Sequence, residues 1–120
     1  MTPTDEIQIR SDGTIEYRRN GVYHREDGPA VIYDYPPSKK CCMWFLDGKR
    51  HRLDGPAVEW SDGSTEWWYQ GLIHRLDGPA IEHSDGSEWW YMGLRFIDVV
   101  SVDDFQTKIK ETLIQEILEA

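Results

Sequence analysis

His24, His51 and His74 each open the same heptapeptide, His-Arg-x-Asp-Gly-Pro-Ala, at 24–30, 51–57 and 74–80. Imidazole, guanidinium and carboxylate within four residues are the side chains of metal sites and acid–base catalysis. Their repetition argues for a different use. Equivalent residues of stacked hairpins stand two strand spacings apart, about 9–10 Å, whereas a zinc ion needs its ligands within about 2 Å. The three histidines would form a row, not a cluster, each ring packed beside its strand or bonded to a turn. A catalytic group is also needed once, while a packing rule is needed in every unit, so Asp27, Asp54 and Asp77 read as turn residues and not as general acids.

The other reactive side chains are Cys41 and Cys42, which follow Lys39 and Lys40. Neighbouring cations lower a thiol pKa, but no His or Asp stands beside the pair to orient it, and the start of a strand is the expected role. Adjacent cysteines form no ordinary bridge, and no CxxC pair is present, which points to a reducing compartment. There is no GxSxG, HExxH, P-loop or dinucleotide glycine motif. No catalytic residue, metal site or cofactor is assigned, and the chain is read as a non-enzyme.

The 120 residues suit one domain. Apolar residues make up only 39%, but six Trp, six Tyr and three Phe supply enough area for a core. A net charge of −9 opposes a basic groove on a nucleic-acid backbone and suits a basic partner surface. The first residues, MTPTDEIQIR, have neither a basic start nor an apolar h-region, and no run approaches a membrane span. Cytoplasm, of a cell or an infected host, is the expected location.

The elements that position these residues are set by turns. Asp12-Gly13, Asp62-Gly63 and Asp85-Gly86 lie between repeat halves; Asn20-Gly21, Asp47-Gly48, Gln70-Gly71 and Met92-Gly93 precede the return strands. Between them lie β-prone segments at 14–18, 41–46, 64–69 and 88–91, with returns at 30–33, 57–60 and 80–83. The pattern predicts a mainly β antiparallel meander extended by repetition. Its units are about 12–33, 34–60, 61–83 and a partial 84–97, within a repeat domain at 1–100. Tyr17, Trp44, Trp67 and Trp89 form one column, and Arg18, Phe45, Trp68 and Trp90 the opposite one. In the turn, Arg25, Arg52 and Arg75 are placed to brace Asp27, Asp54 and Asp77. Gly28, Gly55 and Gly78 supply a positive-φ or crowded position, and Pro29, Pro56 and Pro79 end the segment.

A last strand is expected at 95–100. Residues 101–120 then form an amphipathic helix with Ser101 as N-cap and Asp104 at the capping-box position. Phe105, Ile109, Leu113 and Ile117 fall at i, i+4 steps, widened by Ile114 and Leu118. The helix is expected to cap the sheet or to serve a partner.

The unit WYxGxxHRxDGPAxxxxDG, at 68–86, resembles the MORN-repeat variants of bacterial and bacteriophage proteins. The likeness covers about 12–93 and omits the helix. It implies hairpins in an elongated twisted sheet, used for scaffolding or partner binding, and it carries no active site. The better-known pattern, YxGxWxxGxxHGxG, has Gly where this chain has Arg25, Arg52 and Arg75, and a flexible glycyl end where it has Pro29, Pro56 and Pro79. Membrane tethering is not carried over, since the acidic balance opposes an anionic membrane surface.

The function expected is a non-enzymatic protein–protein interaction module that inhibits or scaffolds a host or cellular protein. The insertion DYPPSKKCC interrupts the period and makes Tyr35, Lys39 and Lys40 candidate contacts. Trp60, Trp68 and Trp90 are candidates for an aromatic recognition surface. The alternative is a small-ligand or nucleotide-sequestering protein, with rings stacking a base and Arg25, Arg52 or Arg75 meeting phosphate. A homodimer through the helix or the first strand, 6–10, is also expected.

Overall fold

The structure, a computed structural model, describes residues 5–35 and 39–119, without the side chains of Tyr35 and Lys39. β1 (Asp5–Ile9) turns into β2 (Ile15–Arg19), which forms a hairpin with β3 (Val22–Tyr23); the chain returns after a loop as β4 (Val31–Tyr35). The second unit goes out as β5 (Lys39–Met43) and β6 (Phe45–Leu46) and comes back as β7 (Lys49–Arg50) and β8 (Val58–Trp60). The third uses β9 (Thr65–Glu66) and β10 (Trp68–Tyr69), then β11 (Leu72–Ile73) and β12 (Ile81–His83). A fourth stops after its hairpin, β13 (Gly86–Tyr91) and β14 (Leu94–Phe96), and the chain enters α1 (Val102–Glu119). The strands pair antiparallel as an open meander in the order β1-β2-β4-β5-β8-β9-β12-β13-β14, with β3 on β2 and the ribbons β6–β7 and β10–β11 beside it.

The hairpin turns follow from their residue pairs. Asn20 and Gly21 have φ of 53° and 83°, and Asp47-Gly48, Gln70-Gly71 and Met92-Gly93 repeat this pair of positive values, which matches the right-handed twist of the flanking strands. Gln and Met are poor residues for that region, and a fixed neighbour supports them. His24 Nδ1 accepts the Asp47 N–H, His51 Nδ1 the Gln70 N–H and His74 Nδ1 the Met92 N–H, each at 2.9 Å. Each histidine is therefore a staple from one unit to the next hairpin turn.

The segments expected as single strands at 41–46 and 64–69 are each split, at Trp44 and Trp67. The cause is the loop opposite. Trp44 N donates to Ala57 O at 2.7 Å and Trp44 O accepts from His51 N at 3.1 Å, so the residue bonds to both ends of a gap through which 52–56 leave the sheet. Trp67 bonds in the same way to Ala80 and His74, and Tyr17 to Ala30 and His24. Ala30, Ala57 and Ala80, where the return strand resumes, are fully buried.

Inside the loop the arginine does more than brace the aspartate. Arg52 lies 4.1 Å over the Trp44 ring, donates from Nε to Asp54 at 3.1 Å, and donates from Nη1 to Pro56 O at 3.1 Å. Arg25 over Tyr17 and Arg75 over Trp67 repeat the arrangement. The aspartates are well exposed, so those ion pairs are worth only about 0.2–1 kcal/mol. Ring stacking and the carbonyl bond hold the guanidinium more firmly. On its other side lies the glycine: a Cβ at Gly28, Gly55 or Gly78 would come within 2.8 Å of the arginine Cζ. These glycines do not have positive φ. Crowding alone requires them.

Val31, Cys41, Met43 and Val58 form the buried cluster, with Tyr23, Tyr33, Phe45 and Trp68 packed against it. In the first unit Glu16 is 2% exposed. It is held by Arg10, by Arg18 at 3.2 Å and by the Tyr23 hydroxyl at 3.0 Å.

The final strand ends at Phe96 rather than reaching 100. Asp98 takes a positive φ of 57°, and Ile97 and Val100 are 69% and 86% exposed. Ser101 Oγ caps the Asp104 N–H at 3.0 Å, and the Asp104 carboxylate accepts from Val100 N. Phe105 is fully buried, 5.0 Å from the Trp89 ring and 5.6 Å from Phe96. Trp89 is the fourth member of the column whose earlier members carry arginines, and Phe105, tilted 55° against its ring, takes the place of the arginine that the fourth unit lacks. The apolar series Phe105, Ile109, Leu113, Ile117 is not one face, because a step of four residues drifts about 40° around the helix. Only Phe105 and Ile109 are buried.

Gly55→Ala is expected to lower stability by about 1–3 kcal/mol, the usual range for overpacking. In an Arg52→Ala background the same change is expected to cost much less, since the guanidinium it strikes is gone. Urea unfolding of the two single variants and the double variant checks this. Additive losses would show that the stacked arginine is not what excludes a side chain.

Candidate functional site

The loops border grooves as ridges, and the residue at each crest is the variable third position of the heptapeptide, its side chain exposed. It is Glu26 in the first loop, Leu53 in the second and Leu76 in the third. Leu53 is 75% and Leu76 50% exposed. Between the second and third ridges lies a groove of about 450 Å³, bounded by Arg52, Leu53 and Asp54 on one side and Arg75, Leu76 and Asp77 on the other. Trp67, Trp68, Tyr69 and His74 complete it. A groove of about 430 Å³ occupies the corresponding place in the first unit, with β1 in place of a preceding ridge. Its lining of Asp5, Glu6, Arg18, Arg19, Glu26 and Asp27 is mostly charged. One geometry thus carries two chemistries.

The arginines in these grooves are engaged. Besides its bonds to Asp54 and Pro56, Arg52 Nη1 donates to Glu59 at 2.6 Å, and Arg75 Nη1 donates to Glu82 at 3.2 Å. Arg25 donates to Asp27 and Pro29. The guanidinium groups that a bound phosphate would require already serve their own loops.

The aromatic candidates separate. Trp68 packs against the buried cluster and donates Nε1–H to Glu66 at 2.9 Å, and Trp90 donates to Glu88 at 3.0 Å. Trp60 is 40% exposed and lines a smaller hollow of about 220 Å³ with Thr65, Ile81, Glu82 and His83. Lys40 is an exposed member of β5, in register with Asp34. Tyr35 and Lys39 are paired in register at the ends of β4 and β5. Their side chains, and residues 36–38 of the insertion, lie outside the described residues. Among the described side chains, Lys40 and Trp60 lie on the neighbouring strands β5 and β8, whereas Trp68 and Trp90 belong to the hairpin strands β10 and β13.

The cysteines belong to the sheet. Burial pushes the Cys41 thiol up to about 11, and the neighbouring Cys42 adds to the shift. Cys42 is also raised, by burial and by Glu59, against the smaller opposite pull of Lys40. Nearby lysines therefore do not activate either thiol. Among the described residues, no group of three or more His, Cys, Asp and Glu side chains is arranged to hold a metal ion.

Leu53 and Leu76 were not among the sequence-derived contacts. Their signal was present as the one variable position inside an otherwise repeated HRxDGPA. No protein-family model matches the chain, and no curated protein or solved structure matches it.

Burial lowers the His74 pKa from the ordinary 6.5, and only the neutral ring can accept the Met92 N–H at Nδ1. Its contribution to stability is complete above about 6.5 and is lost as the pH falls through the lower folded value. Glu16 is lowered from 4.5 by its bonds from Arg10, Tyr23 and Arg18, against burial, so its contribution disappears at still lower pH. Acidification is expected to weaken the fold first through His74 and then through Glu16. His74→Asn, whose Oδ1 can accept the same N–H without titrating, is expected to remove the first step. Urea midpoints between pH 8 and pH 4 test this, and an unchanged profile in His74→Asn would refute the assignment.

Proposed function

We propose that this chain is a non-enzymatic protein-interaction module of MORN-variant type, which grips its partner with the crests of its repeated loops. The observation that carries the reading is the pair Leu53 and Leu76, exposed at the mouth of an aromatic groove by a turn that has no structural use for them. A large apolar side chain left in water beside Trp67 and Tyr69 is suited to desolvation by a partner. The repeated His, Arg and Asp side chains favour a non-catalytic reading, because each is engaged in the same contacts in every unit.

The partner is read as a protein of the cell, or of the infected host if the chain is encoded by a phage, bound in the cytoplasm and thereby inhibited or scaffolded. The acidic balance favours a partner with a basic rim around an apolar contact. Among the described residues no helix is long and apolar enough to cross a membrane. The engagement of Arg25, Arg52 and Arg75 within their loops weighs against nucleotide sequestration.

Affinity purification of the tagged chain from its native cells is expected to recover a partner at fixed stoichiometry. Leu53→Asp with Leu76→Asp is expected to reduce that recovery by about tenfold or more while leaving the circular dichroism spectrum unchanged. Recovery of the chain alone, or equal recovery by the folded double variant, would count against the groove.

A further inference from the structure

We propose that the outer edge of β1 is a self-association surface, where β1 of a second copy of this chain pairs antiparallel about a two-fold axis at Gln8. β1 pairs with β2 on one side, and its residues are all exposed. Arg10 N donates to Thr14 O at 2.8 Å, so the hydrogen-bonded pairs with β2 are Arg10–Thr14, Gln8–Glu16 and Glu6–Arg18. Tyr17 agrees, since its N–H donates to Ala30 and its carbonyl accepts from His24, on the far side of β2. The N–H and C=O of Ile7 and Ile9 therefore point away from the sheet. Among the described residues no strand pairs with them. Edge strands are commonly blunted by proline, lysine or a bulge. Over Asp5–Ile9 there is no proline or lysine, and the register with β2 is regular.

A second β1 suits this edge better than an arbitrary strand, because the segment 6–10 is complementary to itself. Ile7 can face Ile9 of the second copy, each exchanging N–H and C=O bonds with the other. That register sets Glu6 opposite Arg10 of the second copy and Gln8 opposite its own symmetry mate. These are the non-hydrogen-bonded pairs, in which side chains approach most closely. A slip of two residues loses the match, with Glu6 facing Gln8 and Ile9 facing Asp5.

Both faces of the sheet continue across the axis. On one, Cys42, Ile32, Ile15 and Ile9 already stand in cross-strand register, and Ile7 and then Tyr17 of the second copy extend the row. Ile7 and Ile9 are 65% and 71% exposed in one copy; in the pair each has an apolar neighbour on both sides. On the other face Glu6 stands between Arg18 of its own β2 and Arg10 of the second copy.

An isologous contact of this kind closes on itself and does not propagate. One short strand per copy falls short of the roughly 1,200–2,000 Å² of a standard interface, and a net charge of −9 on each copy opposes association. The dimer is therefore weak and concentration-dependent. It is independent of the groove reading, since it uses neither Leu53 nor Leu76.

Sedimentation velocity of the full chain, from low to high micromolar concentration, tests the proposal. The expected result is a reversible monomer–dimer equilibrium. Ile7→Pro is expected to abolish it with the folded spectrum unchanged, because the N–H it removes points outward and the bonds of β1 to β2 remain. Gln8→Cys, at an exposed position, is expected to give on mild oxidation a covalent dimer that the unsubstituted chain does not form. A single monomeric species throughout, or a ladder of larger oligomers, would overturn the proposal. So would a dimer that survives Ile7→Pro, and a Gln8→Cys dimer that oxidation leaves unlinked would overturn this register.

Discussion

Each repeat depends on one guanidinium held between an aromatic ring and the backbone of a glycine. Arg25, Arg52 and Arg75 lie 4.0–4.1 Å over Tyr17, Trp44 and Trp67, and their Cζ atoms lie 2.8 Å from where a Cβ on Gly28, Gly55 or Gly78 would be. The heptapeptide becomes intelligible from that contact. Glycine leaves room for the planar cation, the proline carbonyl receives one of its protons, and the aspartate receives another at the surface. The alanine is small because the return strand re-enters the sheet beside the same ring. Lysine could not replace the arginine, having no plane to stack and no fork to share between two acceptors.

The same contact explains how the array ends. A fourth unit that stops after its hairpin leaves Trp89 without an arginine, and Phe105 of α1 covers it instead. At the other end β1 pairs along the whole length of β2, a place that later units give to the preceding return strand and loop. Arg19 bonds Asp5 at 2.6 Å and ties that strand down. Two unlike segments therefore complete the terminal units of the array, β1 by pairing with β2 and α1 by covering the Trp89 ring.

Much of this was legible in the sequence, and the omissions have physical reasons. Positive-φ pairs such as Asn20-Gly21, the approximate strands, and the Ser101 cap announce themselves through local chemistry. The splitting of the strands at Trp44 and Trp67 does not, because it is imposed by a loop on the opposite strand. A histidine bonded to a turn was legible, but not which turn: the Nδ1 of His51 bonds the backbone of Gln70, 19 residues away. Gly55 invited a conformational explanation when its constraint is a neighbour's side chain. Trp68 looked like a candidate for recognition, yet it packs on the buried cluster, because alternation along a strand names two faces without saying which is covered. Tyr35 and Lys39, the other candidates, reach the structure only as a register pair.

Repetition separates structural from selective positions within a single chain. Side chains that recur at the same contacts in all three loops answer to the fold, and whatever varies among them is released from it. Glu26, Leu53 and Leu76 vary, and they sit at the crests. Glu16, Met43 and Glu66 also vary, but they lie inward, where each unit meets a different local demand: Glu16 neutralises arginines, Met43 fills the cluster, and Glu66 accepts the Trp68 indole. Variation alone therefore does not mark a contact surface. Among the loop positions, variation and exposure coincide at Glu26, Leu53 and Leu76, of which the two leucines are apolar. The histidine staples run from each unit to the next, and the stacked arginines Arg52 and Arg75 are held by the ring, the aspartate and the proline carbonyl rather than by the leucine side chain at the crest.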